Sequence, residues 1–258
     1  MNAGIEAMEW SILLPAFFAG LLVLATHVPL GAQVLARGIV FIDLAVAQIA
    51  ALGVMAAEIL GWEMHGIGMQ LAAVGAALAG SLWLTWSEQR WPEAQEALIG
   101  VLFVLAASGG ILLVAHNPHG GEHLRDLLAG QILWVSMEQI AWLALATLAI
   151  VLALFGLGAR LGRLGFYAVF AVAVTASVQM VGIYLVFASL IVPAMATRNY
   201  SAPRRLPLGY GLGAAGYAAG LLISAWWDLP SGAVIVWTLA AAALVVYAAG
   251  PAPRRPAA

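Results

Sequence analysis

Residues 164–197 read LGFYAVFAVAVTASVQMVGIYLVFASLIVPAMAT, thirty-four positions without a charge between Arg163 and Arg198. At about 1.5 Å per residue, a straight helix of that length would reach about 50 Å, against a hydrocarbon core of roughly 30 Å. The stretch is too long for one membrane crossing and too short for two ordinary ones, so the chain must break inside the bilayer. Gly182, in Gln179-Met180-Val181-Gly182, is the natural place, with Pro193 disturbing the second piece. Broken helices at membrane depth usually line a pathway.

The rest of the chain agrees with a lipid solvent. It is 64% hydrophobic and 9% charged, with a mean hydropathy of +1.00 over 258 residues, and no polar stretch is long enough for a soluble domain. Basic residues are scattered, which argues against a nucleic-acid surface. There is no cysteine, so disulfides, iron–sulfur clusters and thiolate zinc sites are excluded. All ten basic residues are arginine, so the lysine of a phosphate-binding Walker loop or of a Schiff base is missing. The chain cannot energise itself by P-loop ATP hydrolysis. Met1 to Trp10 carries Glu6 and Glu9 but no positive charge, so the first apolar run reads as a true span rather than a secretory signal.

Apolar runs and charge breaks predict spans at 10–28, 39–60, 67–86, 97–115 and 139–158, the broken pair over 166–196, and two more at 206–225 and 233–249. The expectation is an all-α polytopic membrane protein, one domain over 1–258, with eight or nine membrane segments including a broken or re-entrant helix. If the broken stretch crosses once and returns, nine arginines (37, 90, 160, 163, 198, 204, 205, 254 and 255) fall on one side. The other side keeps only Arg125, with Glu63, Glu122, Asp126, Asp228 and four of the five histidines. The positive-inside rule makes the arginine side cytoplasmic, with the N-terminus outside and the C-terminus inside. Leu124 to Ser136 reads as an interfacial or partly inserted segment on the outer side.

Polar residues within spans need a reason. Asp43, Gln48 and Glu58 lie on the second span. Gln48, Ala51, Met55 and Glu58 form one stripe, while Asp43 sits about 140° round from Gln48. Asp43 reads either as a cation ligand or gate, or as an acid at a helix start near Arg37. If the sixth span ran on unbroken, Thr175, Gln179, Gly182 and Ser189 would fall within about 80° of one another, as a pathway lining or as a close-packing face. In the outer loop, His116, His119, Glu122 and His123 bring three imidazoles and a carboxylate within eight residues, a set that suits a borderline divalent metal but matches no closed zinc motif. A solvated histidine-rich loop is the plain alternative. His65 could join from the neighbouring turn, and His27 stands alone on the first span, where simple hydrogen bonding accounts for it.

Several blocks carry a family resemblance: Pro29-Leu30-Gly31 through Arg37 to Ala51-Leu52-Gly53; Ala97-Leu98-Ile99-Gly100; Asp126 to Ser136; Ser177 to Gly182 continuing through Leu185 to Ala196; and Ser224-Ala225 with Asp228, Pro230 and Gly232. In that order they resemble the permease subunits of zinc, manganese and iron ABC importers. The resemblance implies a dimeric permease that is not itself an enzyme and holds no permanent cofactor. It would receive a divalent metal ion as substrate from an extracytoplasmic binding protein and be driven by a separate cytoplasmic ATPase subunit. It also exposes two departures. The family's aspartate and the histidine four residues later fall on Leu44 and Gln48 here, with the acid at Asp43. The cytoplasmic segment that couples to the ATPase is cut to about Gly158 to Gly165, keeping Arg160 and Arg163. An ion-gradient-driven secondary transporter, with Asp43 or Glu58 titrating, and a non-transporting scaffold are the competing classes.

Overall fold

The computed structural model describes residues 2–62, 66–114, 128 and 130–251. Among them the fold is all-α, with nine helices: α1 (Asn2–Arg37), α2 (Ile42–Ile59), α3 (Ile67–Arg90), α4 (Gln95–Val114), α5 (Met137–Leu152), α6 (Gly162–Val181), α7 (Ile183–Thr197), α8 (Ala202–Trp227) and α9 (Ser231–Ala248). Eight are long and apolar enough to cross a membrane, and α7 is the short ninth. The first helix runs past Pro15 and Pro29 to Arg37, beyond the expected end at Val28. The span yields to charge at Arg37, not to proline.

The break is where the charge-free stretch placed it. Val181 ends α6, Ile183 begins α7, and Gly182 between them adopts φ +80° and ψ +160°, a backbone region open essentially to glycine. Its depth differs from expectation. With 20 residues, α6 is about 30 Å long and is already a full crossing, so the reversal comes near the far face instead of mid-bilayer. The return helix has 15 residues, or about 22 Å.

The direction of return follows from packing. At the start of α6, Phe166 lies under the Arg37 guanidinium, which ends α1, and Arg163 approaches Glu88 near the end of α3. Gly31, in the second half of α1, meets Leu190 and Ala194 of α7. Gly20, nearer the start of α1, receives the ring of Tyr217, whose hydroxyl reaches Ser189. Helices α1 and α7 therefore run the same way, and Arg198 returns to the end that holds Arg37, Arg90 and Arg163, called the arginine end below.

Helix contacts divide the bundle into two groups. Helices α2, α3, α4 and α6 pack mainly on one another; α1, α5, α7, α8 and α9 form the second group. In the second, Gly209 and Gly213 of α8 let α1 approach through Val28 and Leu24, while Gly216 and Gly220 admit Leu239 and Ile235 of α9. With lipid as solvent, such close approach supplies the dispersion contacts that water exclusion cannot. The chain passes between the groups four times, and each passage contains left-handed glycine: Gly38, Gly130, Gly158 with Gly162, and Gly182. Gly130 and Gly182 also touch, since a Cβ on Gly130 would collide with the Val181 carbonyl. Just beyond, Ile132–Trp134 forms a 3-10 turn against α1 and α9 with Ile132 buried, and a Ser136/Gln139 capping box starts α5.

Candidate functional site

Asp43 lies in the first turn of α2, fully buried, and neither carboxylate oxygen has a hydrogen-bond partner among the described residues. The helix-start reading fits its position, since Asp43 is the acid of the first turn of α2, where the helix dipole favours a carboxylate, but it makes no cap bond: the N-cap residue is Phe41, and the Arg37 guanidinium lies 4.0 Å from the Phe166 ring centroid. The dipole supplies no hydrogen bond, so burial of this acid stays costly.

Leu44 and Gln48, one turn apart, face the other way. Leu44 joins Phe41, Ala97, Gly100 and Val101 in an open groove of about 630 Å³ between α2 and α4, and Leu52 and Met55 on the same side abut Gly109 and Gly110. Its lining offers no ligating pair, so an aspartate–histidine site has no counterpart at these two positions. Asp43 and Gln48 serve different faces of α2, as their angular separation requires.

On α6, Thr175 and Gln179 share a stripe. The Gln179 side-chain oxygen accepts from Gln70 Nε2 at 2.6 Å, tying the end of α6 to the start of α3, while Gln179 Nε2 and Thr175 Oγ1 are buried without partners among the described residues. Ser189 does not continue this stripe, because the helix ends at Gly182. It sits on α7, donates to the Leu185 carbonyl at 2.7 Å and lies 2.8 Å from the Tyr217 hydroxyl. Glu58 is half-buried near the end of α2. His116, His119, Glu122, His123 and His65 fall outside the described residues, and among those described no three His, Cys, Asp or Glu side chains gather as a metal cluster.

His27 carries more than its isolation on the sequence suggests. Its Nδ1 lies 2.9 Å from both the Val23 carbonyl and the Thr26 hydroxyl, and Nε2 is buried without a hydrogen-bond partner among the described residues. The spacing carried no sign of this, since the partner is the helix's own backbone.

Sequence reasoning also missed a polar network at the arginine end. Gln95, buried, accepts from Ser87 Oγ at 3.0 Å and donates to the Leu84 carbonyl at 3.1 Å and to the Tyr167 hydroxyl at 3.3 Å. Glu88 lies beside that hydroxyl and 3.9 Å from Arg163, and Glu96 accepts from the Phe41 amide at 3.3 Å. Arg160 is exposed on a short 3-10 turn between Gly158 and Gly162.

The chain matches the ABC 3 transport family over residues 9–161 and 154–250, nearly its whole length. It belongs to that family. Among curated relatives of this family member, an uncharacterized membrane protein of Synechocystis (slr2045) is 25% identical, over 96% of this chain and 94% of the relative. The manganese transport system membrane protein MntC of Halalkalibacterium halodurans is 26% identical, over 90% of this chain and 85% of its own length. Among solved structures, PsaBC from Streptococcus pneumoniae in complex with Fab superposes with a TM-score of 0.75 at 21% identity, covering 92% of this chain and 91% of that one. At that identity the likeness establishes the fold. The family member is thus a multi-pass membrane subunit of an ABC transport system.

Proposed function

We propose that this chain is the permease of an ABC importer that carries a divalent metal ion, such as manganese, zinc or iron, into the cytoplasm. A separate ATPase subunit drives it, an extracytoplasmic binding protein delivers the ion, and two copies assemble in the bacterial inner membrane. The arginine end faces the cytosol, with the N-terminus outside and the C-terminus inside. Family membership and the manganese-transport relative support the substrate class.

The observation that carries the reading is Asp43: a buried carboxylate on a membrane span with both oxygens free of partners is a ligand for a passing cation. The ion enters from the outer loop with His116, His119, Glu122 and His123, passes Glu58, Gln48, Thr175 and Gln179 near the Gly182 reversal, and meets Asp43, on another face of α2, once that helix has turned and before release. Ser189 serves packing through Tyr217. Arg160 and Arg163 receive the ATPase, whose hydrolysis biases the two conformations of the path.

The test is a complex with its ATPase subunit in proteoliposomes, assayed for metal-stimulated hydrolysis and ATP-dependent metal uptake. Stimulation by at least one of manganese, zinc and iron, lost in Asp43→Asn, is expected. No stimulation by any of the three refutes the reading, and uptake by the chain alone without nucleotide would replace it with secondary transport.

A further inference from the structure

The two helix groups meet the shortened α5–α6 connection in an asymmetric way. Gly158, at φ +47°, and Gly162, at φ +58°, bracket the short turn that displays Arg160. On the α5 side a π turn, Ala153–Leu157, precedes it, so this flank is irregular. On the α6 side the connection runs straight into the polar network: Arg163 to Glu88, then Tyr167 to Gln95, then Gln95 to Ser87 and the Leu84 carbonyl. Glu96, next in the chain, holds the Phe41 amide before α2. Four helices, α2, α3, α4 and α6, are thereby joined at their arginine ends through side chains of which Ser87, Gln95 and Tyr167 are buried. At the opposite end the same group is tied by Gln70 to Gln179.

Such a network is far more than packing requires. Buried polar groups cost stability unless their partners are met, and where met they fix one arrangement of the elements they join; the Ser87, Gln95 and Tyr167 side chains are met here, while one oxygen each of Glu88 and Glu96 is buried without a hydrogen-bond partner among the described residues. Apolar contacts between helices in lipid would tolerate sliding; the hydroxyl-to-amide bond between Tyr167 and Gln95 does not.

Building on the permease reading above, we propose that Tyr167, Gln95 and Glu88 are the coupling residues of this chain. They make the first turn of α6 and the α3–α4 turn one rigid piece. Force delivered by the ATPase to the Gly158–Leu164 segment then moves α2, with Asp43, together with α3, α4 and α6 against the other five helices, the left-handed glycines of the four passages absorbing the change. They are positioning residues and touch no ion.

The experiment uses the complete complex in proteoliposomes and measures metal transported per ATP hydrolysed, with melting temperature alongside. Tyr167→Phe removes one hydroxyl and Glu88→Gln one charge. The expected result is a fall of about tenfold in ions moved per ATP, the scale of an ordinary coupling free energy, with hydrolysis and melting temperature close to those of the parent. An unchanged ratio in both single variants overturns the proposal, and so does a fall matched by an equal loss of folded protein. Failure of the permease reading is separable, because it shows in the parent complex as absent metal stimulation.

Discussion

Gly38 and Gly130 share a φ of +71°, yet they stand in opposite surroundings. A Cβ at Gly38 meets nothing within 4 Å, whereas at Gly130 it runs into the Val181 carbonyl and the Gly182 nitrogen. Alanine at either position is held in the left-handed region at a cost of about 1 kcal/mol. At Gly130 overpacking adds about 1–3 kcal/mol, at the upper end because the obstacle is backbone, which cannot rotate away as a side chain does. Gly182→Ala falls between the two or level with Gly130→Ala, since φ +80° with ψ +160° costs a non-glycine residue about 3 kcal/mol with no collision needed. The assay is the intrinsic-fluorescence melt of purified protein, helped by ten tryptophans, at one detergent concentration and one heating rate. Gly38→Ala should lower the midpoint by about 2–4 °C and Gly130→Ala by roughly three times as much. Equal shifts in the two would refute the contact between the Gly130 turn and the α6–α7 reversal, and with it the account of how that reversal is held.

Asp43→Asn should abolish ATP-dependent metal uptake while leaving the melting temperature equal or higher, because the carboxyl that is removed has no hydrogen-bond partner among the described residues; a large drop in stability would mean that it has a structural partner. Gln70→Leu strips the Gln179 side chain of its one hydrogen bond among the described residues and should cost about 1–3 kcal/mol, and adding Gln179→Leu should cost less than the sum of the single changes, as a double-mutant cycle on melting would show. Because the chain has no cysteine, single cysteines at 163 and 198 can be labelled without background; both should react only with reagent inside the cell, and reaction of position 198 from outside would break the topology.

How much was legible in advance depends on whether a feature is written along one helix or between several. The break was legible because two arginines set a length that one helix cannot satisfy, and glycine is the residue that a reversal needs. The divergence of Asp43 and Gln48 was legible because 100° per residue decides it before any packing. The depth of Gly182 was not, since composition says only that 164–197 is apolar and not how much of it one helix uses. Ser189 was grouped with Thr175 and Gln179 by extending a helical wheel through the very glycine that ends the helix, so the two inferences were incompatible and the break had to win. The Gln95, Ser87, Glu88 and Tyr167 network was invisible for a different reason: Gln95 and Tyr167 lie 72 residues apart, and each member alone reads as an ordinary polar residue near a helix end. His27 is the reverse case, where a residue read as simply hydrogen-bonded is indeed bonded at Nδ1, while its Nε2 is buried without a partner among the described residues. Local periodicity thus located the crossings and the acid, while the parts that decide how the crossings move together are tertiary and had to be seen in place.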